Sequence, residues 1–72
     1  MDKKLNKIIE ITCEEDKHAK AAIVSNIKNY LANNDDYNNG NISINADRFE
    51  RVDVVIYEGC SNVDELTRVL TM

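Results

Sequence analysis

The chain is short of the residues from which most small metal and nucleotide sites are built. Its 72 residues include two cysteines, two glycines and a single histidine. Two cysteines permit one internal disulfide at most, and a zinc site of cysteine and histidine ligands would need carboxylates to complete it. Neither glycine belongs to a glycine-rich phosphate-binding motif. We therefore expect a protein with no cofactor and no structural metal.

Long apolar runs are also missing. No segment approaches the roughly 20 consecutive apolar residues that span a bilayer. The first residues carry lysines ahead of apolar positions, but Asn6, Lys7 and Glu10 interrupt the apolar core that a signal peptide requires. We therefore expect a cytoplasmic protein, with no membrane partner and with reduced thiols. The length predicts one small domain, residues 1–72, with a correspondingly small core.

Acidic residues are concentrated in the second half of the chain. The formal net charge is −4, and residues 35–65 alone hold eight acids against Arg48 and Arg51. Such a surface repels a phosphate backbone, so we expect no direct binding to nucleic acid. A basic protein would be attracted to it. The alternative interpretation is that the acids only keep a small domain in solution.

Changes of hydrophobic period divide the first half of the chain into a strand and a helix. Apolar residues alternate in IIEITC, residues 8–13, which predicts a half-buried strand. Thr12 and Glu15 have the spacing of a capping box, so we predict a helix from about residue 14 to residue 33. Its inward stripe is predicted to consist of Ala19, Ala22, Ile23, Ile27, Tyr30 and Leu31.

The second half contains two strands and another helix. NISINA, residues 41–46, alternates between apolar and polar side chains, whereas RVDVVIY, residues 51–57, is apolar on both faces over its second half. Ser61 and Asp64 have the spacing of a second cap. This cap is predicted to open a short helix that carries Val63, Leu66, Val69 and Leu70 on one side.

The order β-α-β-β-α predicts an α+β domain with a three-stranded mixed sheet. The crossover makes the first and second strands parallel, and the hairpin makes the third antiparallel to the second. The two-sided apolar strand is expected in the centre, which gives the order 1-3-2, with both helices on one face. This element order resembles a ferredoxin-like unit that lacks its last strand. It also places Cys13 and Cys60 too far apart for a disulfide.

The topology leaves two surfaces for a partner. If Val54 and Ile56 face the helices, then Val55 and Tyr57 point to the open face of the sheet. Apolar side chains on an uncovered face invite a second protomer or another protein. The outer strands also offer unpaired backbone groups. We therefore predict a homodimer.

The segment NNDDYNNGNISINAD, residues 33–47, resembles the start of an EF-hand loop if Asp35 is the first ligand. Gly40 then takes the glycine position. The third position is Tyr37, however, and the twelfth, where a glutamate should complete the site, is Ala46. We interpret the segment as an Asn/Gly turn that presents acids, with calcium binding as the alternative.

These patterns favour a non-enzymatic acidic interaction protein. In its sharper form the hypothesis is a small phage-type inhibitor that mimics the charge of DNA and binds a basic, nucleic-acid-binding protein, a likeness of size and charge alone. The alternative is a small-ligand or metal-binding regulatory domain that uses the loop 35–43 or the sheet face, and an enzyme acting through Cys13 and His18 comes third. The predicted partner contacts are Asp35, Asp36, Asp47, Glu50, Asp53 and Glu58.

Overall fold

The computed structural model describes residues 4–13, 17–48 and 50–71. Every predicted element occurs within these residues, and β3 has the predicted bounds. The additional element is a helical turn, α2, inside the segment that we interpreted as a plain connector. The elements in chain order are β1 (Leu5–Thr12), α1 (Lys17–Leu31), α2 (Asp35–Asn38), β2 (Ile42–Asn45), β3 (Arg51–Tyr57) and α3 (Val63–Leu70).

The sheet has the order β1-β3-β2, which confirms the prediction that the third strand is central. Both outer strands pair with β3 in the antiparallel direction. The sheet is therefore antiparallel between all neighbours, and not mixed, because the two parallel strands are not adjacent. The placement of both helices on one face stays a prediction.

Alternation along β3 determines which side chains form the core. Val52, Val54 and Ile56 are fully buried. All but one of their direct partners on the neighbouring strands are also apolar, with Ile9 and Ile44 on either side of Val54, and the exception is Lys7 opposite Ile56. Directly opposite residues share a face of the sheet, so these side chains form one apolar layer. Ile27 and Leu31 of α1 and Leu66 of α3 belong to the same buried cluster.

The inward stripe of α1 is narrower than predicted. Ala22 and Tyr30, which we expected to face the core, are exposed. Val24, which lies outside the predicted stripe, packs against the core instead. The buried side of α1 therefore centres on Ile27 and Leu31, and the partly buried Ile23 and Val24 pack against the same core.

The start of α3 also differs from the prediction. Asn62, and not Ser61, is the N-cap, and it adopts a left-handed conformation with φ 59° and makes no side-chain capping bond. Asparagine tolerates this conformation better than most residues because its short amide can hydrogen-bond locally. Ser61 donates its hydrogen bonds to Asp36 of α2. The cap predicted for α1 depends on Glu15, which lies outside the described residues.

The two cysteines are free thiols. Cys13 follows the C-terminal end of β1, and Cys60 follows that of β3. Since the two strands run antiparallel, these ends lie at opposite ends of the sheet, as predicted. The seven residues of β3 correspond to roughly 20 Å, well beyond the reach of a disulfide.

Val54 and Val55 are neighbours on β3 whose side chains point to opposite faces, so the same substitution at each tests the alternation. We expect Val54→Ala to lower the free energy of unfolding by about 2 kcal/mol, because it removes buried methyl groups and leaves a cavity. Val55→Ala, at a half-buried position, should cost less than about 1 kcal/mol. Urea denaturation measures both, and equal losses would contradict the assigned register.

Candidate functional site

The acids predicted to bind a partner do not form one surface. Asp35 and Asp36 open α2, and Glu58 follows β3, so these three lie at the end of the sheet where β3 finishes and β2 begins. Asp47 and Glu50 lie in the β2–β3 connection at the opposite end. The length of β3 separates the two groups by roughly 20 Å. A block that is continuous in the sequence is therefore divided between the two ends of the molecule.

Asp53, the sixth predicted contact, is buried in the middle of β3 with 6% of its surface exposed. Its Oδ1 lies 3.1 Å from Arg51 Nε, and Arg51 Nη2 donates a hydrogen bond of 3.4 Å to its Oδ2. Arg51 Nη1 also lies 3.5 Å from Glu10 Oε1. A buried carboxylate needs such a partner because desolvation is costly. Asp53 is therefore not presented to a partner, which corrects the prediction for this residue.

The larger acidic group lies where β3 finishes. Asp64 and Glu65, in the first turn of α3, were not among the predicted contacts, and only their place within the acidic half of the sequence pointed to them. Hydrogen bonds from Ser61 to Asp36 bring this turn to α2. We call the following side chains the acidic end: Asp35, Asp36, Glu58, Asp64 and Glu65.

Asp36 ties the parts of the acidic end together. Its Oδ2 accepts hydrogen bonds from Ser61 N–H (3.1 Å) and Ser61 Oγ (3.0 Å), across 25 residues of sequence. Its Oδ1 accepts a bond of 3.4 Å from Asn41 Nδ2. One carboxylate thus joins α2, the start of β2 and the loop that enters α3. Carboxylate bonds of this kind are about twice as strong as neutral ones.

The helical turn that carries Asp36 is specified locally. Asn34 is its N-cap, and the Asn34 side-chain oxygen accepts a hydrogen bond of 3.1 Å from Tyr37 N–H. Asparagine is among the best residues for this position. Tyr37 also packs against the core cluster. The cap and this aromatic contact together hold α2 beside β2. Its two aspartates, Asp35 and Asp36, lie in the first turn of α2.

The hydrogen bonds of Asp36 affect the titration of the acidic end. The bond from Ser61 N–H, followed by the bond from Ser61 Oγ, holds the pKa of Asp36 below its ordinary value. Burial, followed by the charge of Asp36, raises the pKa of the Cys60 thiol. At neutral pH the site therefore presents an ionised carboxylate beside a protonated thiol, which is a poor nucleophile.

The two ends of the molecule differ in charge compensation. At the end that holds Asp47 and Glu50, Lys20 Nζ donates a hydrogen bond of 2.6 Å to the carbonyl oxygen of Arg48. This bond brings the Lys20 ammonium to the backbone of Arg48, the residue that follows Asp47 in the sequence. At the acidic end, Glu58 N–H donates a hydrogen bond of 2.8 Å to the carbonyl oxygen of Lys4, so the backbone of Lys4 lies beside Glu58. Among the described residues, the acidic end therefore holds five carboxylates near Lys4, whereas Asp47 and Glu50 at the opposite end have Lys20 and Arg48 nearby.

The segment that resembles a calcium loop has another structure. Its first ligand position, Asp35, begins α2, and its glycine, Gly40, occupies the left-handed region with φ 82° in the turn before β2. The strand β2 follows where an exit helix would be required. Within residues 4–13, 17–48 and 50–71, no group of three or more His, Cys, Asp or Glu side chains could hold a metal ion.

The predicted sheet-face residues belong to an apolar patch. Val55 and Tyr57 are half-buried, and their direct partners on β1 are Ile8 and Leu5. Opposite residues share a face, so all four side chains lie together. Ile8 is 43% exposed and Leu5 is 55% exposed. The sequence did not reveal Leu5, because the alternation begins only at Ile8.

Of the two residues of the enzyme hypothesis, Cys13 and His18, the structure describes the side chain of Cys13. Cys13 is buried, and its thiol donates to the carbonyl oxygen of Ile11 at 3.8 Å. The side chain of His18 lies outside the described residues.

Comparison with known proteins gives no relative for this chain: no family model, no curated protein and no solved structure matches it. Among the helices that the structure describes, none is both long and apolar enough to cross a membrane.

The low pKa of Asp36 makes part of the stability dependent on pH. A carboxyl whose pKa is lowered by folding stabilises the native state above its ordinary range, and this contribution is lost as the pH falls through the folded pKa. We expect Ser61→Ala to raise the pKa of Asp36 only in part, because the Ser61 N–H bond remains. Asp36→Asn should remove the part of the loss of stability at low pH that protonation of Asp36 causes. NMR titration measures the pKa of Asp36 in the wild type and in Ser61→Ala. Equal pKa values in the two proteins would contradict the account.

Proposed function

We propose that the protein is a non-enzymatic interaction protein whose acidic end binds a basic protein surface. The observation that supports this most strongly is the joining of α2 to the start of α3 by Asp36 and Ser61. This connection gathers Asp35, Glu58 and the first turn of α3 at one end of a chain whose net charge is −4. Opposite charges steer association and determine which partners are accepted.

The acidic end is suited to binding because its carboxylates are carried on ordered elements. Asp35 and Asp36 lie on a capped helical turn, and Asp64 and Glu65 lie on α3. Carboxylates held in place lose less conformational entropy on binding than carboxylates on a free loop. Asp35, Glu58, Asp64 and Glu65 are also exposed, so they are available to a partner.

In its sharper form the proposal concerns a partner that itself binds nucleic acid. The lysine and arginine side chains with which such a partner neutralises phosphates would contact the carboxylates of this protein instead of phosphates. We propose that the protein acts as an inhibitor of such a partner by mimicking the charge of DNA. Binding would then weaken as salt rises, and duplex DNA would compete with the protein.

The exposed acids allow a test with a matched control. Asp35→Asn/Glu58→Gln neutralises two charges at the acidic end, and Asp47→Asn/Glu50→Gln neutralises two at the other end, so both variants change the net charge equally. An exposed charge pair contributes about 0.2–1 kcal/mol, so the first variant should bind a labelled peptide rich in lysine and arginine roughly 2- to 30-fold more weakly. The second should bind like the wild type, and fluorescence anisotropy measures both.

The salt concentration and the composition of the peptide provide the controls. Raising salt from about 50 to about 300 mM should weaken wild-type binding strongly, and a peptide with glutamine at every basic position should not bind. The proposal fails if the two double variants lose affinity equally, because the effect would then follow net charge and not the acidic end. It also fails if the wild type does not bind the basic peptide at low salt.

A second candidate function is the binding of a small anionic ligand. It is favoured by a cleft of about 560 Å³ beside α1, a volume within the range of small-molecule sites. Two lysines at its rim would attract an anion, and small apolar side chains would contact the ligand body. The lining residues are Lys20, Ala21, Val24, Ser25, Lys28, Asn29 and Ala46.

Thermal denaturation separates the two functions. If the cleft binds small carboxylates or phosphates, members of a panel of such compounds should raise the melting temperature of the wild type, since a ligand that binds only the native state stabilises it. Lys28→Gln should abolish that rise while leaving binding of the basic peptide unchanged. A panel that produces no shift at millimolar concentration would exclude this candidate.

A further inference from the structure

The outer edge of β1 is a long strand edge without a partner in the described structure. β1 has eight residues and pairs with β3 on one side only. On that side Cys13 N–H donates to the Glu50 carbonyl oxygen at 2.7 Å. Peptide groups alternate in direction along a strand. Those of Ile9 and Ile11 therefore face β3, and those of Ile8, Glu10 and Thr12 face outward.

The edge of β1 is poorly protected against pairing. Proteins usually protect such edges by short strands, lysines, prolines or bulges. The other edge strand, β2, has only four residues. On β1 the irregularity lies between Leu5 and Lys7, ahead of the regular segment from Ile8 to Thr12. Lys7, which could guard the edge, instead donates its Nζ to Thr67 Oγ1 of α3 at 3.1 Å.

An exposed apolar patch lies directly beside this edge. Ile8 is 43% exposed and Leu5 is 55% exposed, and each lies opposite a half-buried residue of β3, Val55 and Tyr57 respectively. A strand added to β1 would cover Ile8 and extend this patch. Covering exposed apolar surface stabilises association in proportion to the area removed from water.

The charge along β1 identifies the strand that fits. Lys4 directly precedes β1, Lys7 lies in its first half and Glu10 in its second half, and after Cys13 the sequence continues into Glu14, Glu15 and Asp16. A second copy of the same strand, placed antiparallel, brings the basic half of each copy beside the acidic half of the other. A parallel copy would place like charges together, which is unfavourable in cross-strand pairs.

We propose that two copies of this protein pair antiparallel along the outer edges of β1, which joins their sheets into one six-stranded sheet. The contact is isologous, as a two-fold axis requires, because the same residues are contributed by both copies. The proposal goes beyond the binding of a basic partner. The two acidic ends lie at opposite ends of the joined sheet and stay accessible, so both interactions can occur in one assembly.

Hydrogen exchange of the wild-type protein tests the pairing without any substitution. We expect the amides of Ile8, Glu10 and Thr12 to exchange more slowly as protein concentration rises, because pairing gives them acceptors. The control is the amide of Ile44 on the other edge strand. Asn41 accepts from Tyr57 N–H of β3, so by alternation the peptide group of Ile44 faces away from β3, and its exchange should not depend on concentration. Exchange at the β1 amides that does not depend on concentration would overturn the proposal, and so would protection gained at Ile44 instead.

A pair of matched variants tests the same contact through the mass of the protein particle in solution. Ile8→Lys places a charge at the edge, and Val69→Lys makes the same kind of change at a residue of α3 that is 37% exposed. Analytical ultracentrifugation should give the wild type and the Val69 variant about 16.4 kDa, twice the 8.2 kDa of one chain, and the Ile8 variant about 8.2 kDa. Circular dichroism verifies that both variants are folded.

The results separate the two proposals. A monomeric Ile8→Lys variant that still binds the basic peptide would support the pairing and leave the proposed function intact. A wild type that is monomeric at millimolar concentration would overturn the pairing alone. A Val69 variant that dissociates while the Ile8 variant does not would also overturn it, because the contact would then lie on the helices.

Discussion

The rest of the structure depends on the antiparallel pairing of β3 with both of its neighbours. Because β3 is central, each of its residues has a cross-strand partner on at least one side, and alternation assigns Val52, Val54 and Ile56 to the core. The same pairing buries Asp53 and requires Arg51 beside it. It also leaves β1 and β2 as the edges. The core, the one buried carboxylate of the described sheet and the proposed dimer contact are therefore consequences of one strand arrangement.

The antiparallel pairing also explains the distribution of charge. A strand of seven residues carries the chain from one end of the molecule to the other, so acids before it and acids after it are separated in space. Asp36 then bonds to Ser61 and brings α2 to the start of α3. The acidic end is thus formed by a long-range contact, and its members come from three separate parts of the sequence.

The elements that could be predicted are those whose signal is local. β-branched residues on both faces identified β3 and its central position, and that position gave the sheet order. The burial of Asp53, the helical turn of α2, the left-handed Asn62 and the exposure of Tyr30 were not predicted, because each depends on contacts between distant parts of the chain. Asp36 and Ser61 illustrate this: the spacing of Ser61 and Asp64 has the form of a helix cap, but the Ser61 hydroxyl bonds to a carboxylate 25 residues away. Three of the five members of the acidic end, Asp35, Asp36 and Glu58, were predicted from composition, but the geometry of the acidic end was not.

The central claim is that the acidic end is the surface that binds a basic partner. The most direct measurement is a residue-by-residue map of amide chemical-shift changes when a peptide rich in lysine and arginine is added to the isotope-labelled protein. The account predicts that the changes concentrate in α2, at Glu58 and in the first turn of α3, and that they disappear at high salt. Changes concentrated between Asp47 and Glu50, or spread evenly over all exposed acids, would contradict it.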